Sequence, residues 1–311
     1  MFSFLRRQRF RSPDWLAVVV HTDRIDLALV EGGTQGRALL RCHTERFSDS
    51  PAEALGRVRR QLGRGGFMCS NLLHAGAYQM QLTEAPKVPP VEMREAVRWK
   101  LKDLLDYPVD QATVDVVHVP ADGQDNAHGH HVFAVSARNA DVAARMHLFH
   151  NANLPLHAID VPEMAQRNVA HLFEQANRGL GVLCMDANGG LLTVTRDGEL
   201  FLARRTDIGL AQIEGPASEM REQALDKLVL ELQRSLDHFD RQFSYVSLSR
   251  LVVTPVPALL RHLQANLDVP VDALELDAVM DLSAVPELSD PGRQREYFHV
   301  IGAAMRGEVG A

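Results

Sequence analysis

Gly181-Val-Leu-Cys-Met-Asp-Ala-Asn-Gly-Gly-Leu-Leu-Thr-Val-Thr-Arg-Asp-Gly-Glu-Leu-Phe-Leu-Ala-Arg-Arg205 holds three apolar runs separated by two turn signals. Asp186-Ala-Asn-Gly-Gly190 carries the Asn-Gly pair that tight hairpins favour, and Arg196-Asp-Gly198 makes the second turn. Gly181 to Met185, Leu191 to Thr195 and Glu199 to Arg205 are therefore predicted to run up and down as a meander. The same pattern occurs near the start of the chain. Trp15 to Val20 is apolar, His21-Thr-Asp-Arg24 is a polar turn, Ile25 to Val30 resumes the run, and a third strand is predicted over about Arg37 to Arg46. Two meanders in a chain of 311 residues imply two lobes, since that length exceeds the usual size of one hydrophobic core.

The segments between and after the meanders are read by periodicity. Ser50-Pro51 opens a helix to about Leu62, stopped by Gly63-Arg-Gly-Gly66, and Leu72 to Gln81 reads as one strand. Pro86-Lys-Val-Pro-Pro90 marks a boundary. Beyond it lie an amphipathic helix from Val91 to Leu105, ended by Tyr107-Pro108, two strands (Ala112 to Val119, His131 to Ser136) and a helix from Asn139 to Asn151. These make an inserted α+β subdomain over about residues 86–155. A short strand near Leu156 to Asp160 and a helix from Pro162 complete a first lobe over residues 1–180. The second lobe, 181–311, continues from its meander through a long helix (Ala217 to Phe239), a strand (Ser249 to Val253), a helix to Leu267 and a strand near Val269, with its C-terminal segment free to pack back on the first lobe.

Composition narrows the function. Hydrophobic residues make up 46% and charged residues 23%, an ordinary globular balance. A net charge of -7 opposes nucleic-acid binding, which needs clustered positive charge to displace counterions. Three cysteines without a CxxC pair indicate neither a disulfide framework nor a zinc site. No apolar run approaches the roughly 20 residues that span a bilayer. The N-terminal stretch places Arg6, Arg7, Arg9 and Arg11 among aromatic residues and lacks the apolar region of a signal peptide, so a cytoplasmic location with peripheral contact to anionic lipid is expected. The histidines of His128-Gly-His-His131 lack a carboxylate or thiol at ligand spacing and read as a polar loop, so no metal is expected. No P-loop, GxSxG, HExxH or dinucleotide motif occurs.

Three stretches carry a resemblance. Glu92-Met-Arg-Glu-Ala-Val-Arg-Trp-Lys-Leu101, followed by Tyr107-Pro-Val-Asp110 and Val114-Asp-Val-Val117, resembles the inserted subdomain of the MshI/PilM family of pilus biogenesis proteins. Leu192 to Gly209 resembles that family's second-lobe hairpin and following strand, and Glu231-Leu-Gln-Arg-Ser-Leu-Asp-His-Phe239 its long interlobe helix. The resemblance implies a two-lobed actin-like α/β fold of the FtsA type. It also implies a cytoplasmic adaptor of type IV (MSHA-type) pilus assembly, docked on the N-terminal tail of a PilN/MshJ-like bitopic inner-membrane protein. The partner's tail is expected in a groove of the first lobe, with Arg94, Arg98, Trp99, Leu101, Leu105, Tyr107 and Pro108 as candidate contacts.

Actin-like folds hold ATP and magnesium in loops that need bare backbone for phosphates and carboxylates for the metal. Tested against that requirement, the first hairpin has Val19 and His21 where the family pattern puts aspartate and glycine, and Asp23 and Asp26 are expected on the surface, in water rather than on a metal. Asp186, Asn188, Gly189 and Gly190, with Thr193 downstream, are the best surviving trace of a phosphate loop, though any tight hairpin requires the same residues. Thr254-Pro255 stands where a glycine pair would accept the base. The expectation is a vestigial site without cofactor or catalysis, the rival being a PilM-like adaptor that retains ATP.

Overall fold

The structure, a computed structural model, describes residues 13–32, 38–63, 66–121, 131–187 and 189–306. In the first lobe β1 (Asp14–Val20), β2 (Arg24–Val30) and β3 (Leu39–Arg46) form an antiparallel meander. α1 (Pro51–Leu62) begins where the Ser50 hydroxyl accepts the Glu53 amide at 3.2 Å, with a proline at its first position, and ends at Gly63 with φ 69°. β4 (Phe67–Leu72) then runs parallel to β1.

Where one strand is predicted over Leu72 to Gln81, two form. β4 closes at Leu72 in the main sheet, the chain turns through Gly76 at φ 90°, and β5 (Gln79–Glu84) enters a different sheet. That second sheet belongs to the insert, which continues with α2 (Met93–Lys100), β6 (Ala112–His118), β7 (His131–Arg138) and α3 (Asn139–Asn151). Its order is β5-β7-β6, so the insert's sheet draws a strand from ahead of Pro86. α2 is shorter than its periodicity predicts, because the backbone tightens into turns after Lys100. β8 (Ala158–Asp160) adds to β4, giving the main sheet the order β3-β2-β1-β4-β8.

After α4 (Pro162–Ala170) the second lobe repeats that topology. β9 (Gly179–Met185), β10 (Gly190–Arg196) and β11 (Glu199–Thr206) form the meander, with Asp197 and Gly198 at φ 52° and 76° in the tight turn. α5 (Leu210–Ile213) and α6 (Glu219–Gln242) lead to β12 (Leu248–Val253), parallel to β9, then α7 (Pro257–Asn266) and β13 (Val271–Ala273). The sheet order is β11-β10-β9-β12-β13.

The final helix, α8 (Pro291–Ala304), has no counterpart in the sequence reading. Tyr297, Phe298, Val300, Ile301, Ala303 and Ala304 are all buried, so apolar residues surround it and no stripe advertises it. α8 and α4 exchange lobes. α8 follows the second-lobe sheet but packs on β1, β2 and β4, whereas α4 follows the first-lobe sheet and packs on β9, β10 and β11. They meet at Gly302, where a Cβ would lie 2.1 Å from the Ala165 carbonyl oxygen. Asn168 Nδ2 donates to the Gly302 carbonyl at 2.9 Å, sealing the contact. Ala165, Val169, Phe298 and Ile301 share one apolar core with residues of both sheets. Among the described residues no helix is long and apolar enough to cross a membrane.

Candidate functional site

The β1–β2 hairpin continues the alternation of β1. Leu16, Val18 and Val20 face α1 and α3, while Ala17 and Val19 face the α8 side. His21 Nε2 lies 2.8 Å from Asp26 Oδ2, and Arg24 Nε donates to the same oxygen at 3.1 Å. The other oxygen accepts from Thr44 Oγ1 at 2.6 Å, and Thr44 lies 2.7 Å from the Tyr297 hydroxyl of α8. With its proton committed to Asp26, Thr44 accepts from Tyr297. Asp26, expected on the surface, is instead a buried carboxylate, 8% exposed and paired with Val19 across the ladder. Burial alone would raise its pKa; hydrogen bonds from His21 and Thr44, with the charge of Arg24, outweigh it and hold the carboxyl below its usual value. Asp23 does stay on the surface, beside Arg24 and Arg46.

In the β9–β10 hairpin the amides are spent locally. Asp186 N donates to the Gly189 carbonyl at 2.8 Å, and Gly189 N to Asp186 Oδ1 at 3.0 Å. The Asp186 carbonyl accepts from Leu210 at the start of α5, at 2.7 Å. The glycines answer to packing: a Cβ on Gly189 would stand 2.6 Å from the Thr206 carbonyl oxygen, and one on Gly190 2.5 Å from Met185 Sδ. Asn188 lies outside the described residues. Thr193 is fully buried, its hydroxyl 2.9 Å from Gln166 Nε2 of α4.

Thr254 also turns inward. Its amide donates to the Leu183 carbonyl at 3.0 Å and its hydroxyl accepts the Met185 amide at 2.9 Å, extending the β9–β12 pairing past the end of the ladder. Pro255 then offers no N–H.

Between the lobes, Glu163 in the first turn of α4 binds Arg205 of β11 at 2.8 Å and accepts from the Tyr78 hydroxyl in the β4–β5 connection; Arg205 also reaches that hydroxyl at 2.6 Å. Burial and the neighbouring Glu163 push the Tyr78 phenol well above its ordinary value. Nearby, Gln166 donates to the Val182 and Leu191 carbonyls at 2.9 and 3.0 Å, and its Oε1 lies 3.0 Å from His299 Nε2 of α8. Above this polar tie opens a cavity of about 920 Å³, bounded by β5 on one side and β11 with the end of α6 on the other. Tyr78, Glu163, Gln166 and Arg205 carry no local sequence signal, because their partners lie far away along the chain.

The predicted tail contacts do not line one groove. Leu101 is 1% exposed and packs with Val97, Val132 and Ala134 in the insert's core, with Leu105 against its edge. Tyr107 is buried beneath the Arg138 guanidinium, 4.2 Å from the ring centroid. Arg98 ties α2 to the carbonyls of Val109 and Asp110 at 2.9 and 3.0 Å. Arg94, Trp99 and Pro108 remain on the surface, with Arg94 3.0 Å from Asp115 and Trp99 59% exposed. Arg6, Arg7, Arg9 and Arg11, and most of the 128–131 histidine cluster, fall outside the described residues. Among the described residues no group of three or more His, Cys, Asp or Glu side chains could hold a metal. Burial pushes the thiols of Cys69 and Cys184 up to about 12, which removes them as nucleophiles at neutral pH.

No protein-family model and no curated protein sequence matches the chain. Solved structures do. One, a "PilM-PilN type IV pilus biogenesis complex", aligns at a TM-score of 0.69 and 20% identity over 95% of this chain and 98% of that one. The chain has the two-lobed actin-like fold. Fainter likenesses are to the cytoplasmic domain of EpsL, an inner-membrane component of the Vibrio cholerae type II secretion system (TM-score 0.49, 11% identity, 84% and 86% of the chains). A Bacteroides thetaiotaomicron protein with an actin-like ATPase fold and unknown function scores 0.47 at 10% identity, over 93% and 99%.

Proposed function

We propose that the chain is a non-catalytic, cytoplasmic adaptor of type IV pilus assembly, of the MSHA type, peripheral to the inner membrane. In this reading it docks onto the cytoplasmic tail of a PilN/MshJ-like bitopic partner and needs no nucleotide. The observation that carries the non-catalytic half is the internal use of the site's polar groups. Asp26 is bound by His21, Arg24 and Thr44, and the Asp186 and Gly189 amides close their own hairpin. A phosphate would have to displace these bonds, and each buried polar group it orphaned would cost about 1–3 kcal/mol. The docking half is supported by the likeness to a complex whose description pairs PilM with PilN, and by the apolar side chains left exposed on and beside α2, Val91, Trp99 and Leu104.

Isothermal titration with Mg-ATP and co-purification with the partner's tail test the two halves separately. Mg-ATP is expected to give no binding heat, and low-micromolar affinity would instead establish the ATP-retaining adaptor. Trp99→Ala is expected to weaken tail binding at least tenfold while changing stability by no more than about 0.5 kcal/mol, as for other surface positions. Unchanged binding would remove α2 from the interface.

A further inference from the structure

Two sheets end against the same cavity. β5 is the edge of the insert's sheet, with β7 as its ladder partner, and β11 is the edge of the second-lobe sheet, with β10 as its ladder partner. Consecutive residues of both edge strands, Gln79–Glu84 and Phe201–Arg205, line one space of about 920 Å³, to which His131 and Phe133 of β7 also contribute, so backbone groups left unpaired at either edge are available to a strand placed there. That volume is at the upper end of small-ligand sites, about 300–1,000 Å³, but it runs along all six residues of β5, about 20 Å at the rise of a strand. A compact ligand would leave most of that length unfilled. Met80, Leu82 and Phe201 give it apolar walls.

Two side chains in the wall are unsatisfied. Gln79 Oε1 and Gln242 Oε1 are sealed from solvent, and neither has a hydrogen-bond partner among the described residues. Buried acceptors without donors are unfavourable, and because both are closed to solvent a ligand's N–H groups reach them only if the wall opens. The charges are unequal as well. Arg205 is neutralised by Glu163, whereas Arg204, the next residue along β11, is exposed and has no carboxylate partner among the described residues.

We infer that this groove binds an extended peptide of a partner protein as an added strand between β5 and β11. The peptide carries apolar residues at alternate positions and a carboxylate beside Arg204. Main-chain bonds to the two edges supply affinity, and the apolar walls select every second side chain. The joined strands would form one sheet from β6 through β7, β5, the peptide and β11 into the second lobe, reinforcing the core that Val119 and Phe133 of the insert already share with that lobe. This docking mode is independent of the pilus reading and of the α2 surface.

Panning a phage-displayed library of random decapeptides against the full chain tests it. The enriched peptides should share an alternating apolar pattern with an acidic residue, and should slow amide exchange along β5 and β11. Ala203→Arg, which fills the groove, should weaken them at least tenfold. Arg204→Glu, at an exposed position, should also weaken the acidic peptides at least tenfold, and it decides the matter if Ala203→Arg does not fold. The inference is overturned by a library that yields no enriched peptide, by peptides indifferent to the variants, or by slowed exchange confined elsewhere. Mg-ATP protecting the same amides would overturn it in favour of a nucleotide site.

Discussion

His299 shows how one buried side chain makes the whole protein sensitive to pH. Burial, with a smaller contribution from the charge of Arg205, lowers its pKa from 6.5 to about 4. In the folded protein the neutral ring donates from Nε2 to Gln166. As pH falls the unfolded chain takes up this proton first, so the contribution to stability is complete above about 6.5 and declines from there toward 4, by up to about 3 kcal/mol. Denaturant midpoints at pH 7 and pH 4.5 should therefore fall further for the wild type than for His299→Gln; equal falls would assign the acid sensitivity to other groups. None of this could be read from the sequence, where His299 stands in a helix that has no apolar stripe. The burial of Asp26 is hidden in the sequence for a related reason. A carboxylate two residues past a polar turn resembles many surface residues, and only the packing of α8, which delivers Tyr297 to Thr44, makes it interior.

Helices with one wet face were legible and the helix without one was not. α1 declared itself through its Ser50 cap, its glycine stop and its apolar spacing, and α2 through a stripe ending in Tyr107-Pro108. α8 is covered by α4 on one side and by β1, β2 and β4 on the other, so its sequence lacks the contrast that periodicity detects. The consequence is testable at Gly302. Gly302→Ala pushes a methyl group into the Ala165 carbonyl and is expected to destabilise the protein by about 3 kcal/mol, the upper range of overpacking. Gly56→Ala in α1, where the nearest atom is a flexible arginine terminus at 3.9 Å, should stabilise by about 0.5–1 kcal/mol through helix propensity. A thermal or urea midpoint of Gly302→Ala equal to or above that of the wild type would refute the close approach of α4 and α8.

The lobes are joined by exchange of helices and by polar ties at the cleft. Glu163 is 4% exposed, so removing Arg205 strands a buried carboxylate, although Arg205 is itself 40% exposed and partly screened. Arg205→Ala is expected to cost about 2 kcal/mol, and adding Glu163→Gln should recover much of the loss by removing the unpaired charge. Additive losses in a double-mutant cycle would show that the pair does not couple the lobes. The same residues also line the cavity between β5 and β11.

The sequence by itself determined the two meanders, the turns that connect their strands, the capped helices and the presence of an insert. Each depends on neighbouring residues: glycine or asparagine where φ is positive, a hydroxyl before a helix, apolar positions every second or every third and fourth residue. Tertiary structure alone decided which sheet β5 joins, which lobe α4 and α8 cover, that Asp26 and Thr254 turn inward, and that two edge strands line one cavity. Those outcomes rest on contacts such as Ser70 to Ala303 and Asp160 to Arg306, between residues whose separation along the chain leaves no local pattern to read.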